Sequence, residues 1–196
     1  MEGIHPKRIF VTGSPIKEVY IQMEKKFKKS SILNKLKLTP KKYIAASIHR
    51  EENVDKKGGL ELMVDSYNAL ANKYAFPVVV STHPRTLIRL KELDLLDSSH
   101  SKIIWHKPFG LIDYIWLQKN SLCVVSDSGT IHEDASILNF PAIMIRQAHE
   151  RPEGMDEGTL IMSGLNKSEV LNAIEIVTSF NYNKRLFKIV DDYCVN

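Results

Sequence analysis

Two hydrophobic periods alternate along the chain. Short β-branched runs occupy Tyr43 to Ile48, Pro77 to Thr82, Lys102 to Trp105, Leu122 to Ser126, Ala142 to Ile145 and Thr159 to Met162. Apolar runs of this length read as strands buried on both faces. Between them the apolar positions fall at helical spacing. Leu60, Met63, Val64, Tyr67, Leu70, Ala71 and Tyr74 form one stripe, and Val170, Leu171, Ile174 and Val177 another. Asn166 and Glu169 stand at capping-box spacing ahead of the second. An earlier helix carries Ile16, Val19, Tyr20, Met23 and Phe27 on its apolar side, with Ser14 placed to cap it and Pro15 suited to its first turn.

Strands alternating with helices predict an α/β fold: a doubly wound, parallel, Rossmann-like sheet with helices on both faces and strand order 3-2-1-4-5-6. Ile9 to Thr12 reads either as a lead-in segment or as a seventh strand. With 196 residues the chain has enough length for one domain with a proper core and too little for two comfortable ones. The whole of 1–196 is therefore read as a single domain, with 1–40 as lead-in segment and helix and 181–196 as a tail.

Composition removes several function classes. No run of about 18 apolar residues occurs, so no membrane span is expected. The N-terminal stretch Met1 to Pro6 carries no apolar core or cleavage pattern, which points away from secretion and toward a cytoplasmic location. Cys123 and Cys194 are far apart and in no metal-binding spacing, and Cys123 reads as a buried thiol. The histidines lack paired helical spacing, so no metal is expected. The net charge of +4 includes a cluster at Lys25, Lys26, Lys28 and Lys29, but these fall on the polar side of the first helix. Nucleic acid is not an expected partner, because no aromatic-basic platform accompanies them. There is neither a Gly-x-Gly-x-x-Gly after the first strand nor a Walker loop, which disfavours nicotinamide enzymes and P-loop kinases, and no cofactor is expected.

In such a sheet ligands bind beyond the carboxyl ends of the strands, where the strand order reverses, here between the first strand and the fourth. Two unusual polar loops leave those strands: His49-Arg50-Glu51-Glu52-Asn53 and Asp127-Ser128-Gly129-Thr130. The second stands at a helix start, where N–H groups and the aligned dipole favour phosphate oxygens. Gly129 allows close backbone approach, and Ser128 and Thr130 add hydroxyl donors. Glu133 has capping-box spacing from Thr130, so it reads as a helix cap or as a supporting residue of the site, and the cap reading fits Asp134 less well. In the first loop, His49 could protonate or hydrogen-bond a departing phosphate and Arg50 could neutralise it. His83, after the second strand, reads either as a helix-boundary residue before Pro84 or as a ligand contact on the same edge. Arg151, after the fifth strand, reads as a second phosphate partner or as a surface partner of Glu150 or Glu153. His149, His132 and His106 carry no sharper reading than surface or loop positions.

Together, His49-Arg50-Glu51-Glu52-Asn53, Ser126-Asp127-Ser128-Gly129-Thr130 and Glu150-Arg151-Pro152-Glu153-Gly154 resemble the non-hydrolysing UDP-N-acetylglucosamine 2-epimerases. The resemblance runs from about Arg8 to about Phe180, and Arg146 to Asp156 looks most like the capsule and O-antigen branch, which implies UDP-N-acetylglucosamine or a 6-deoxy relative as the sugar nucleotide. It implies one Rossmann-like domain of a two-domain, glycosyltransferase-B arrangement, the second domain, with a UDP-sugar in the interdomain cleft. By the same likeness His49 corresponds to a catalytic histidine near the diphosphate, with Arg50 and Glu51 in support. Ser128, Gly129 and Thr130 cradle phosphate, Arg151 assists, and Tyr114 and the backbone near Phe109 face the uracil. Asp134 falls where the family has a glutamate on the ribose hydroxyls and is one methylene shorter, and Thr130 replaces a second glycine. The family's acid and base carboxylates lie in the first domain, which the resemblance places outside this chain.

The implied reaction eliminates UDP across C1–C2 to a 2-acetamidoglucal-type intermediate and adds it back with protonation on the opposite face. Three readings follow: the UDP-binding half of such an epimerase, joined by a separate first-domain chain and tending to homodimerise as the family does; a non-catalytic UDP-binding remnant; and the donor domain of a glycosyltransferase.

Overall fold

A computed structural model describes residues 5–8, 14–146, 160–180 and 189. Six strands form one sheet: β1 (Ile44–Ile48), β2 (Val78–Thr82), β3 (Ile103–His106), β4 (Cys123–Ser126), β5 (Ala142–Ile145) and β6 (Ile161–Ser163). Every pairing is parallel and the order is β3-β2-β1-β4-β5-β6, the order expected from the sequence. Observed boundaries fall within two residues of the predicted ones. Thr159 and Ile9 to Thr12 lie outside the described residues.

The continuous apolar runs have a simple cause. β1, β4 and β5 are buried along their whole length, because helices cover both faces of the sheet. Side chains alternate between two cores. Ile44, Ala46, Ile48, Val78, Val80, Val125, Ile143 and Ile145 face α4 (Gly59–Tyr74) and α8 (Lys167–Ser179), meeting Leu60, Met63, Tyr67, Val170 and Ile174. Tyr43, Ala45, Val79, Val124, Ala142 and Met144 face the other way, onto α6 (Leu111–Asn120) and α7 (Ile131–Leu138). Cys123 is a buried free thiol, as its apolar surroundings suggested. α1 (Ile16–Phe27) forms an outer layer, where Tyr20 and Phe27 pack on Ile115 of α6 and Ile137 of α7. The described residues also include three short helices, α2 (Ile32–Lys35), α3 (Glu51–Val54) and α5 (Pro84–Glu92), and a 3-10 turn at Pro6–Arg8.

The helix starts depart from expectation in three places. At α1 the N-cap is Pro15, with no side-chain cap bond, and Ser14 Oγ accepts from Ile16 N only at 3.4 Å. Asn166 caps α8, accepting from Ser168 N, but Glu169 accepts from Gly164 N at 3.1 Å and does not reach back to Asn166. At α7, Thr130 makes no side-chain cap bond, and Glu133 accepts instead from Ser14 Oγ of the α1 approach at 2.9 Å. The capping-box reading of Glu133 is thereby overturned. A competing hydroxyl from another segment took the carboxylate, and spacing along one segment cannot register that. Among the described residues, no helix is long and apolar enough to cross a membrane.

Candidate functional site

The carboxyl edge of the sheet gathers the loops after β1, β2 and β4. The register sets the meeting point: Ser47 lies beside Ser126 in β1–β4, so Asp127 emerges next to the loop that begins at His49. The Asp127 side chain is fully buried and takes four donors. His49 N donates at 3.1 Å, Arg50 N at 2.9 Å and Asn53 Nδ2 at 3.2 Å, while the His49 ring approaches through Nδ1 at 3.1 Å. A buried carboxylate needs this satisfaction to remain in place. The hydrogen bond to Asp127 holds the His49 imidazole above its ordinary pKa, against partial burial and the Arg50 charge. About half of the His49 side chain remains open, with 48% of its surface exposed.

The rest of the loop is latched on either side. Glu51 accepts from Arg85 Nη1 at 2.7 Å, and Asp55 accepts from Arg85 Nη2 at 2.6 Å, which ties the loop to the start of α5. Glu52 accepts from Arg146 Nε at 2.9 Å, and Arg146 is 3% exposed just past β5. Asn53 also donates to the Ile145 carbonyl at 3.2 Å. Behind it, a Cβ on Gly59 would stand 2.3 Å from the Asn53 carbonyl oxygen, so only glycine lets α4 begin this close to the loop. The run is therefore anchored inward at Glu52 and Asn53, while the Glu51–Arg85 pair stays solvent-exposed.

The turn after β4 is lightly held by comparison. Ser126 Oγ pairs with Ser47 Oγ at 2.7 Å and accepts from Ser128 N at 3.0 Å. Ser128 Oγ and Thr130 Oγ1 lie 3.1 Å apart, and Thr130 N reaches Ser128 Oγ only at 3.4 Å. Arg50 arches over this turn: a Cβ on Gly129 would meet its Nη2 at 3.0 Å. His49, Arg50, Ser128, Gly129 and Thr130 thus share one rim. Its basic and hydroxyl groups at a helix start suit a doubly charged oxyanion.

On the α6 side, Phe109 stacks on His106 at 4.0 Å between ring centroids and 5° between planes. It also lies parallel to Tyr114 at 6.3 Å. His106, read from sequence as an undistinguished loop residue, is thus part of an aromatic shelf. The Tyr114 hydroxyl is buried without a hydrogen bond of normal geometry, beside Ser47 and Gln118, and burial pushes it up to about 12. Asp134 projects from the first turn of α7 and accepts a hydrogen bond from the Tyr20 hydroxyl. Burial lifts its carboxyl to about 6.

His83 sits on the same edge as the N-cap of α5, its Nδ1 accepting from Arg85 N at 3.3 Å, so its boundary role is what the geometry displays. His132 is a correction: read as a surface or loop position, it is fully buried within α7. Arg151, with Glu150, Glu153 and His149, lies outside the described residues. Asp127, Arg146 and Tyr20 were not singled out in the sequence. The available signal for the first two was position, a charged residue directly after an apolar strand at the ligand edge. Tyr20 carried none, since it reads as one more apolar position of α1. Among the described residues, no group of three His, Cys, Asp or Glu side chains gathers as a metal site.

Sheet order, switch point and helix layers define a Rossmann-like domain of the glycosyltransferase-B kind. A spinosyn rhamnosyltransferase shares this fold at a TM-score of 0.53 and 13% identity, a likeness of fold alone. The family model for UDP-N-acetylglucosamine 2-epimerase matches residues 1–193, and the chain belongs to that family. The UDP-N-acetylglucosamine 2-epimerase of Methanocaldococcus jannaschii is 35% identical over 188 residues, 93% of this chain and 51% of its own. A crystal structure of that organism's enzyme in complex with UDP-GlcNAc and UDP superposes with a TM-score of 0.86 at 34% identity, over 96% of this chain and 52% of the other. The structure of the enzyme from Rickettsia bellii gives 0.84 at 47% identity, over 93% and 48%. The chain thus spans about half the length of the relatives it matches.

Proposed function

We propose that this chain is the UDP-binding half of a UDP-sugar 2-epimerase. The carrying observation is the convergence of the His49–Arg50 segment and the Ser128–Thr130 turn on one rim, joined by Asp127 and by Arg50 over Gly129. Relatives whose structures hold UDP-GlcNAc and UDP support the choice of ligand. In this reading the turn's N–H and hydroxyl groups and the Arg50 guanidinium hold the diphosphate. The Phe109–Tyr114 shelf faces the uracil, and Asp134 takes the ribose hydroxyls. Arg151 adds a further cation, with His83 at the margin.

The chemistry sets the division of labour. The C2 proton of the sugar is not adjacent to a carbonyl, so its removal alone would leave an unstabilised carbanion. Elimination avoids this: the C2–H and C1–O bonds break, a C1=C2 double bond forms, the proton goes to a base and UDP leaves as an anion. Re-addition of UDP with protonation at the opposite face inverts C2. This domain stabilises the departing negative charge, which is differential binding of the transition state. His49, kept readily protonated by Asp127, donates to the diphosphate. The carboxylates that handle the C2 proton belong to a first domain, either on a separate chain or in a longer protein of which this is a part. Family members tend to pair, and a homodimer is the expected assembly of the complete enzyme.

Calorimetry with UDP tests the groove: binding is expected, and Ser128→Ala weakens it. A protein indifferent to uridine nucleotides would sink the reading. Adding a matching first-domain chain is expected to restore epimerisation of UDP-N-acetylglucosamine with solvent deuterium appearing at C2. Sugar transfer to an acceptor without such exchange would assign the domain to a glycosyltransferase instead.

A further inference from the structure

The seam between α1 and the first turn of α7 carries chemistry that the rim does not use. Two adjacent carboxyls of α7 are each held by a hydroxyl from the α1 segment, Glu133 by Ser14 and Asp134 by Tyr20. Tyr20 is 5% exposed, and its ring packs edge-on against Phe27 at 6.0 Å and 71°. Burial, with Asp134 adding to it, pushes the phenol well above its ordinary pKa, so the hydroxyl is a neutral donor at any working pH. Its bond goes to Oδ1 of Asp134, and Gln118 of α6 is a second, lesser donor to the same carboxylate, whose two oxygens keep lone pairs for a ligand. Asp134 N meanwhile donates to the Thr130 carbonyl at 3.0 Å, fixing the backbone one turn beyond the phosphate-facing residues.

We propose that Tyr20 is a positioning residue for nucleotide recognition: by holding Oδ1 of Asp134 it turns Oδ2 toward the ribose hydroxyls of a uridine nucleotide. The inference rests on the ribose reading of Asp134 given above. An aspartate alone on a helix surface has several staggered rotamers open to it, and a short side chain in the wrong one reaches nothing. The Tyr20 bond selects one, which compensates for the reach lost relative to a glutamate. The same bond bears on charge. Burial raises the Asp134 carboxyl, Glu133 raises it further, and hydrogen bonds from Tyr20 and Gln118 oppose the rise. The groups facing it are Tyr20 of α1, Glu133 of α7, and Tyr114 and Gln118 of α6. Without the Tyr20 hydroxyl the carboxyl titrates at higher pH, and less of it is ionised when ligand arrives.

The test compares UDP with 2′-deoxyuridine diphosphate by calorimetry on the full chain, from about pH 5.5 to about pH 8. The native protein is expected to prefer UDP by roughly tenfold, the worth of one charge-assisted hydrogen bond. Tyr20→Phe keeps the ring and Tyr20→Leu removes it, yet both are expected to cut the preference to about threefold or less. Affinity for the deoxy nucleotide stays near native, and the acid fall-off of UDP affinity moves to higher pH in both. If the preference and its pH midpoint survive in both variants while Asp134→Asn abolishes the preference, Tyr20 has no positioning role and the ribose reading stands. If both ligands weaken equally and only in step with a lowered melting temperature, Tyr20 is merely structural and the proposal is overturned. If native protein and Asp134→Asn alike show no preference, the ribose reading falls and takes this proposal with it.

Discussion

The two loops that meet at the switch point are built on opposite plans. The segment after β1 has a partner for almost every side chain: His49 and Asn53 on Asp127, Glu51 on Arg85, Glu52 on Arg146. The turn after β4 has its own serine and threonine hydroxyls, one close arginine and a weak internal bond at 3.4 Å. A group that must present a proton at a fixed point benefits from rigid support, because misplacement is costly for proton transfer. A turn that must close around an oxyanion benefits from donors that are not already strongly engaged. Under the proposed function, the contrast suits the first loop to presentation and the second to capture.

Breaking the clasp at its centre should have the largest effect. Asp127→Ala leaves two backbone N–H groups and the Asn53 amide facing a fully buried void, and it frees the His49 ring. Removing one side of a buried charged network costs about 3–5 kcal/mol, so a urea titration should show a loss of that order and UDP binding should disappear with it. An unchanged midpoint would mean the first loop is not held from Asp127 at all. The capture loop should behave in the opposite manner. Ser128→Ala should leave stability within about 0.5 kcal/mol of native and weaken UDP by roughly tenfold in calorimetry. A large loss of stability there would erase the distinction between the two loops.

Asp134 sharpens the comparison from a third side. Its folded pKa, raised to about 6, lies above that of an unfolded aspartate, so ionisation disfavours the folded state. Its contribution is favourable below the unfolded value and is lost as pH rises through about 6. Asp134→Asn should therefore raise stability near neutral pH, by about 1 kcal/mol in urea, while weakening the nucleotide. A destabilised variant would show that the Tyr20 contact outweighs the burial of charge.

How far these plans could be read in the residues follows from what each depends on. Strand order and switch point were legible because buried runs such as Val78 to Val80 and Ala142 to Ile145 admit few other structures. That two polar loops meet was legible for the same reason, since topology alone puts β1 beside β4. What each polar side chain does was not. Glu133 has the spacing of a cap and is taken by Ser14, more than a hundred residues away in sequence. Glu52 looks solvated in a row of charges but faces a buried arginine after β5. Such pairings depend on which element happens to lie across the gap, and local spacing holds no record of it. Tyr20 is the extreme case, because its ring obeys the hydrophobic pattern and only its oxygen departs from it.

The smallest expected effect tests the presentation loop without disturbing its fold. The His49 pKa is raised above the ordinary histidine value by its bond to Asp127, so the protonated ring favours the folded state. That contribution is complete below about pH 6.5, the unfolded value, and is lost as pH climbs through the higher folded one. Native protein should therefore show a shallow decline in its urea midpoint above about pH 6.5 that His49→Gln lacks, although half of the ring is exposed and solvent screens the pair. UDP should steepen the dependence, because a diphosphate that accepts from the ring raises its pKa further, and the steepening should vanish in His49→Gln. If UDP leaves the profile unchanged in native protein, the ring does not face the diphosphate, and the clasp around Asp127 serves the fold alone.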